Sequence, residues 1–385
     1  MDNTTEPVDD DYTDYSYVDS GSHYQFQKVN DPLTCFFVNL LYNSALFLGK
    51  IRFIPAFFGL IVNVFHLIIL TRKLMRTSCI NVIMIGISIA DLRNLSYVLY
   101  RKWIMEREYD KCDLPDSTNY TFLMIEHWAQ MTNEVTRRVS AMLGVMIALV
   151  RTLVLKYPFN SRFESLHTPG FGIKSIVFIS ILSSMINILY WGPSILVDGN
   201  ANWFPPEECG YPKDFSAPRY QYETMEIFRI DSLVPMQMFQ AAGGISKMIP
   251  AVALPILTGM LVKDIRASQK SRATLVSQRT DKSDQTTKMI TLMTVTSMIS
   301  EGPLGVLEFM LMFTPGSMRL LVVISDFMSI FEVIVVFNTM THCFACLVMS
   351  SQYRNTAKET FGCRNSKSTT IQGIPSSNSF RMTMT

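Results

Sequence analysis

Long apolar runs recur along the chain, each bounded by short polar and charged clusters. Phe53 to Leu70 is uncharged throughout, as is Ser175 to Ile195. Ile80 to Tyr100 is interrupted only by Asp91 and Arg93, and Met236 to Val262 only by Lys247. Leu123 to Leu155 is long and carries Glu126, Glu134, Arg137, Arg138 and Arg151. Met289 to Phe313 carries Glu301 and Glu308, and Leu320 to Met349 carries Asp326 and Glu332. A helix of about 20 mostly apolar residues crosses a bilayer, and backbone groups in lipid must be satisfied within the segment. The pattern therefore predicts an all-α membrane protein with a bundle of seven spans.

The short connections fix an expected orientation, because basic residues stay on the cytoplasmic side. Arg72, Lys73 and Arg76 follow span one, and Lys156 and Arg162 follow span three. The stretch KDIRASQKSRATLVSQRTDK, with six basic residues, follows span five. Arg354, Lys358, Arg364 and Lys367 follow span seven. The opposite side receives EREYDKCD and the N-terminal tail, whose first 27 residues hold seven acids and no Lys or Arg. The expectation is a multi-pass plasma-membrane protein with an extracellular N-terminus. Asn3 and Asn119 open glycosylation sequons on that side. The tail lacks the apolar core of a signal peptide, so its export falls to the first span.

After span seven, SSQYRNTAKETFGC places Tyr353, Ala357 and Phe361 four apart on one helical face, with Arg354 and Lys358 beside it. That predicts a short amphipathic helix on the membrane surface. Cys363 is then a palmitoylation site or a free cytosolic thiol. The last stretch is Ser/Thr-rich and expected to lack packed structure, as a phosphorylated segment recruiting arrestin would. The expected organisation is a tail over 1–46, a seven-span domain over 47–350, a surface helix over 351–363 and a cytoplasmic tail over 364–385.

Charge inside the spans carries the functional signal. A charged group at mid-membrane costs at least about 2.5 kcal/mol and must face the bundle interior. Away from the span ends there are six acids (Asp91, Glu134, Glu301, Glu308, Asp326, Glu332) and four bases (Arg93, Arg137, Arg138, Lys247). Asp91 and Arg93 are two apart, so they point to different faces. Glu308 lies two turns beyond Glu301 on the same face, and Glu332 nearly three turns outward of His342. A cavity lined by Glu134, Arg138, Lys247, Glu308, Glu332 and Trp128, with carboxylate in excess, suits a cationic peptide. Asp326 and Glu308 can equally sit in the headgroup zone.

Other classes fit less well. No paired repeat of a transporter is visible. There are only five His, and no HExxH or GxSxG, so no enzyme is expected. A retinal protein needs a Schiff-base lysine in span seven, and Leu320 to Tyr353 holds none. With a net charge of +2, no nucleic-acid partner is indicated. Neither is a cofactor.

Span one contains GLIVN, span two SIADL, span three ends ALVRTLVLKYPF, span six contains SEGP, and span seven ends HCFACLVMSSQYR. Asn63, Asp91, Arg151 and Pro303 in that order resemble the rhodopsin-like G-protein-coupled receptors over roughly residues 47 to 363. The departures narrow the match: Val150 and Thr152 flank the arginine, Glu301 stands where a Trp is usual, and His342-Cys343 replaces Asn-Pro. RRVSAMLGVMIALVRTLVLKYP, TTKMITLMTVTSMISEGPLG and MSSQYR are similar to the nematode serpentine Srw-type chemoreceptors, which in turn resemble FMRFamide-like peptide receptors.

That resemblance implies a receptor that senses an extracellular peptide and activates a heterotrimeric G protein; the same fold also serves non-peptide cues. Arg151 would engage the G protein when span six swings out at the Pro303 hinge. Glu301 would lie beside mid-span three, at the level of Arg137, giving an ion pair that a charged ligand can exchange; a water-filled cavity around Glu301 is the alternative. With Pro303 and His342 these form the implied transmission switch. Asp91, Ser140 and Asn338 match the family's sodium pocket; without an ion, Asp91 accepts hydrogen bonds or pairs with His342. The family also ties the second outer loop, about Leu196 to Val234, to the top of span three. That favours Cys112–Cys209, with Cys35–Cys209 as the alternative.

Overall fold

The computed structural model describes residues 32–105, 112–157, 163, 165–191, 194–224, 234–272, 280–311, 313 and 318–362. Asn3, Cys363 and the C-terminal Ser/Thr-rich stretch lie outside the described residues.

Helix α1 (Pro32–Ile51) runs almost directly into α2 (Phe53–Leu70), with Arg52 at the junction. Then come α3 (Cys79–Met105), α4 (Tyr120–Lys156) and α5 (Pro169–Trp191). Two strands follow, β1 (Ser194–Trp203) and β2 (Ala217–Thr224), before α6 (Val234–Arg272), α7 (Thr280–Leu311), α8 (Met318–Met349) and α9 (Ser351–Thr360). Helices α2 to α8 are the seven predicted spans. Five of them (α2, α3, α5, α6, α8) are long and apolar enough to cross a bilayer on composition alone. The other two are interrupted by charge: α4 carries Glu126, Glu134, Arg137, Arg138 and Arg151, and α7 carries Glu301 and Glu308 within its apolar run.

The bundle closes as a ring: α2 packs on α3 and α8, α3 on α4, α4 on α5 and α6, α6 on α7, and α7 on α8. Each helix turns one stripe inward. In α2 the buried stripe is Ala56, Gly59, Asn63, His66 and Ile69, three or four residues apart, while Phe57, Phe58 and Phe65 face out. Such outward apolar surface is what lipid covers. The larger buried hydrophobic cluster among the described residues lies at the end nearest α9 and includes Leu70, Ile83, Leu143, Ile147, Val150 and Tyr353.

Three predicted boundaries are revised. The segment expected as tail up to residue 46 already turns helical at Pro32, because α1 packs along α8. The basic connection after span five is largely helix: α6 continues to Arg272 and α7 starts at Thr280, so polar turns extend both spans beyond the apolar run. The long loop after span four contains a hairpin in which β1 and β2 pair antiparallel from Ser194↔Thr224 to Trp203↔Ala217, with an irregularity between Asp198 and Asn202.

That hairpin is fastened to the start of α4. Tyr222 Oη donates to the Leu123 carbonyl at 2.8 Å, and its ring stacks on His127 with centroids 5.3 Å apart. A disulfide joins Cys112 to Cys209, and Tyr211 Oη donates to the Cys112 carbonyl at 3.0 Å. Asn119 caps α4, its Oδ1 accepting from Phe122 N at 3.0 Å. At the opposite end, α9 is capped by Ser350 and buries Tyr353, while Phe361 packs edge-on against Phe65 at 5.5 Å. The predicted amphipathic helix is thereby present.

Candidate ligand and switch site

The interior charges converge. Glu134 and Arg137 lie three apart on α4, so they share a face. Arg137 Nη1 is 3.8 Å from Glu134 Oε1 and 3.8 Å from Glu332 Oε1 on α8; Nη2 is 3.9 Å from Glu301 Oε2 on α7. Lys247 of α6 donates through Nζ to Glu134 Oε2 at 2.8 Å and also contacts Glu308 of α7. Glu332 in turn pairs with Arg52 at the α1–α2 junction. One connected network therefore ties α4, α6, α7 and α8 to the start of α2. It holds four carboxylates (Glu134, Glu301, Glu308, Glu332) against three basic groups (Arg52, Arg137, Lys247).

Burial grades across the network. The Lys247 side chain is 5% exposed, Arg137 10%, Glu301 12% and Glu332 34%, so Glu332 is the most open of these four. Arg137 sits between three carboxylates at ion-pair distance, yet its Nε and Nη2 make no hydrogen bond within the chain. The guanidinium is held by charge and not by a bidentate fork. Such an arrangement resists burial without the carboxylates but does not lock one geometry.

Other predicted residues separate. Arg138, one position on, turns away by about 100°, the angular step of a helix. It donates through Nε to Ser246 at 2.9 Å and through Nη1 to the Ser183 carbonyl at 3.2 Å. It ties α4 to α5 and α6. Trp128, six residues before Glu134, falls on another face of α4 and is 57% exposed, so it does not join the charged network. Arg93 donates to the Ala129 carbonyl and Thr132 Oγ1, apart from Asp91 as expected.

Below the network lies a small polar chamber of about 30 Å³ lined by Asp91, Arg137, Ser140, Glu301, Asn338 and His342 among others. Ser140 Oγ donates to Asp91 Oδ1 at 2.7 Å. A larger, apolar groove of about 430 Å³ lies between α6 and α7 beside Pro303, with Val252, Met298 and Val306 turned outward. It is part of the lipid-facing surface and holds none of the charged groups.

Toward α9, Arg151 is half-buried, flanked by buried Val150 and Thr152, and its Nε makes no hydrogen bond within the chain. Helix α7 runs through Pro303, which cannot donate to the Ile299 carbonyl one turn back. Tyr353 reaches from α9 into the bundle, its Oη 2.7 Å from His66 Nδ1 and 3.7 Å from Cys343 Sγ. Cys343 stands where the sequence departs from Asn-Pro.

Sequence reading missed Arg52, Arg101 and Tyr353 as partners. Arg52 lies between two apolar helices and outside the uncharged run that defined span one. Arg101 pairs with Glu126 across α3 and α4. The helical spacing puts Tyr353 on the membrane-facing stripe of the surface helix, whereas it is wholly buried.

Comparison with curated proteins returned no match. Residues 50–364 match the family described as "Serpentine type 7TM GPCR chemoreceptor Srw". Seven spans, a buried charge network between them and a surface helix behind them accompany a match over most of the chain: the protein belongs to the Srw family of serpentine seven-transmembrane chemoreceptors.

Proposed function

We propose that this chemoreceptor senses an extracellular cationic peptide of FMRFamide-like character and activates a heterotrimeric G protein, with its N-terminus outside the cell. One observation carries the reading: the charge network beneath the hairpin has one more carboxylate than basic groups, and it links α4 to α7 through Arg137 and Glu301. An arriving guanidinium or ammonium finds Glu332 and Glu308 as partners and competes with Arg137 and Lys247 for them. Releasing Arg137 from Glu301 frees α7, whose missing hydrogen bond at Pro303 makes it the hinge. The motion exposes Arg151 and its neighbours to the G protein on the α9 side. Arrestin would then read the Ser/Thr-rich tail.

A peptide-library screen on cells expressing the full-length receptor with promiscuous G proteins tests this. Responses confined to peptides with Arg or Lys support the reading. Silence to all peptides, with responses to small non-peptide odorants, overturns it in favour of an environmental chemoreceptor.

A further inference from the structure

The chamber around Asp91 has the residues expected of a sodium site, yet its donor set does not fit one. Of its three oxygen donors, Asp91 Oδ1 accepts from Ser140 at 2.7 Å, and Asn338 Oδ1 accepts from Thr341 Oγ1 at 3.3 Å. Only Asp91 Oδ2 among the carboxylate and amide oxygens of the set makes no hydrogen bond within the chain. Hard cations need several converging oxygens.

The decisive neighbour is Arg137, which lines the same chamber. A permanently protonated guanidinium already supplies positive charge there. The chamber's two carboxylates, Asp91 and Glu301, share it with this fixed cation, so a metal ion in so small a space would lie within a few ångströms of Arg137 and would have to compete with it for them. The chamber's residues instead carry polar atoms that make no hydrogen bond within the chain: Asp91 Oδ2 can accept, Arg137 Nε and Nη2 can donate, and His342 Nδ1 can do either. A chamber of about 30 Å³ holds roughly two waters, and a buried water takes two to four such partners.

We infer that Arg137 takes the place of the cation, so that the Asp91 chamber holds water bridging Asp91, Arg137 and His342 and does not bind sodium. The inference stands apart from ligand identity. It makes Arg137 a single charge serving two layers, the ligand-side carboxylates above and Asp91 below. Coupling between the layers then runs through one side chain of α4 and needs no ion to enter or leave.

The test is the melting temperature of purified full-length receptor in sodium chloride against N-methylglucamine chloride at equal ionic strength. The wild type is expected to melt at the same temperature in both. Arg137→Met leaves Asp91 and Glu301 without their cation, so this variant is expected to be stabilised saturably by sodium, and Asp91→Asn added to it removes the effect. Saturable sodium stabilisation of the wild type that Asp91→Asn abolishes would overturn the inference. So would an Arg137→Met protein that folds and is indifferent to sodium. Where Arg137→Met fails to fold, the wild-type comparison with Asp91→Asn decides alone.

Discussion

Lys247 Nζ donates to Glu134 Oε2 at 2.8 Å, joining α6 to α4 in a part of the bundle where the lysine is 5% exposed. The same ammonium contacts Glu308 of α7, so one positive charge holds three helices. Removing one partner of a buried ion pair costs about 3–5 kcal/mol because the other charge is left behind. Lys247→Met is expected to lower the melting temperature of the solubilised receptor markedly. Lys247→Arg is expected to retain most of it. Equal melting of Lys247→Met and wild type would remove the lysine from the network.

Two glycines set how close α6 and α7 come. A Cβ on Gly244 would lie 2.6 Å from Phe309 N, and one on Gly305 would lie 2.9 Å from Met248 N. Backbone cannot yield as a flexible side chain does, so Gly244→Ala and Gly305→Ala are each expected to cost about 1–3 kcal/mol. Gly144, in mid-α4, meets nothing within 4 Å of its Cβ. Gly144→Ala is therefore the control, expected to be neutral or slightly stabilising through helix propensity. The ranking of the three melting temperatures checks the packing of α6 on α7.

Tyr353 closes the α9 end. Burial pushes its phenol above the ordinary range, so it stays protonated and able to donate at any working pH. Tyr353→Phe keeps the ring and removes only the contacts to His66 and Cys343. The expected loss is about 1 kcal/mol, enlarged if His66 is left buried without a partner. Thermal unfolding of the variant, beside His66→Phe and the double substitution, reads the coupling: the two singles should not add.

Orientation is checked chemically. Asn119 is exposed at the cap of α4 and uses only Oδ1 for capping, which leaves Nδ2 for a glycan. Endoglycosidase treatment of receptor from animal cells is expected to shift its gel mobility, with a smaller shift in Asn119→Gln. An N-terminal tag should label on intact cells and a C-terminal tag only after permeabilisation. Both tags on one side would contradict the proposed topology.

The spans were legible because lipid imposes a length and a composition, and Phe53–Leu70 matches to the residue. Their ends were not, because α6 and α7 continue as polar helices once they leave the apolar layer, and hydropathy falls there while helical hydrogen bonding does not. The pairing of Arg137 with Glu301 was within reach through the family resemblance, which sets Glu301 beside mid-span three at the level of Arg137. The choice between Arg137 and Arg138 also depended on depth, while their roles differ by the 100° that separates adjacent residues on a helix. Arg52 escaped because a charge at a helix junction reads as a boundary. The hairpin escaped because its two strands are separated by the Pro- and Gly-containing stretch FPPEECGYPKDFS, which reads as loop throughout.

Arg137 and Glu301 face each other directly across α4 and α7. Their interaction is tested by Arg137→Glu, Glu301→Arg and the double swap, each measured for melting temperature and ligand-independent G-protein signalling. Both singles are expected to be strongly destabilised and the double to recover part of the loss, part only because Glu134 and Glu332 also face residue 137. A double variant impaired by the sum of the two singles would contradict a direct interaction.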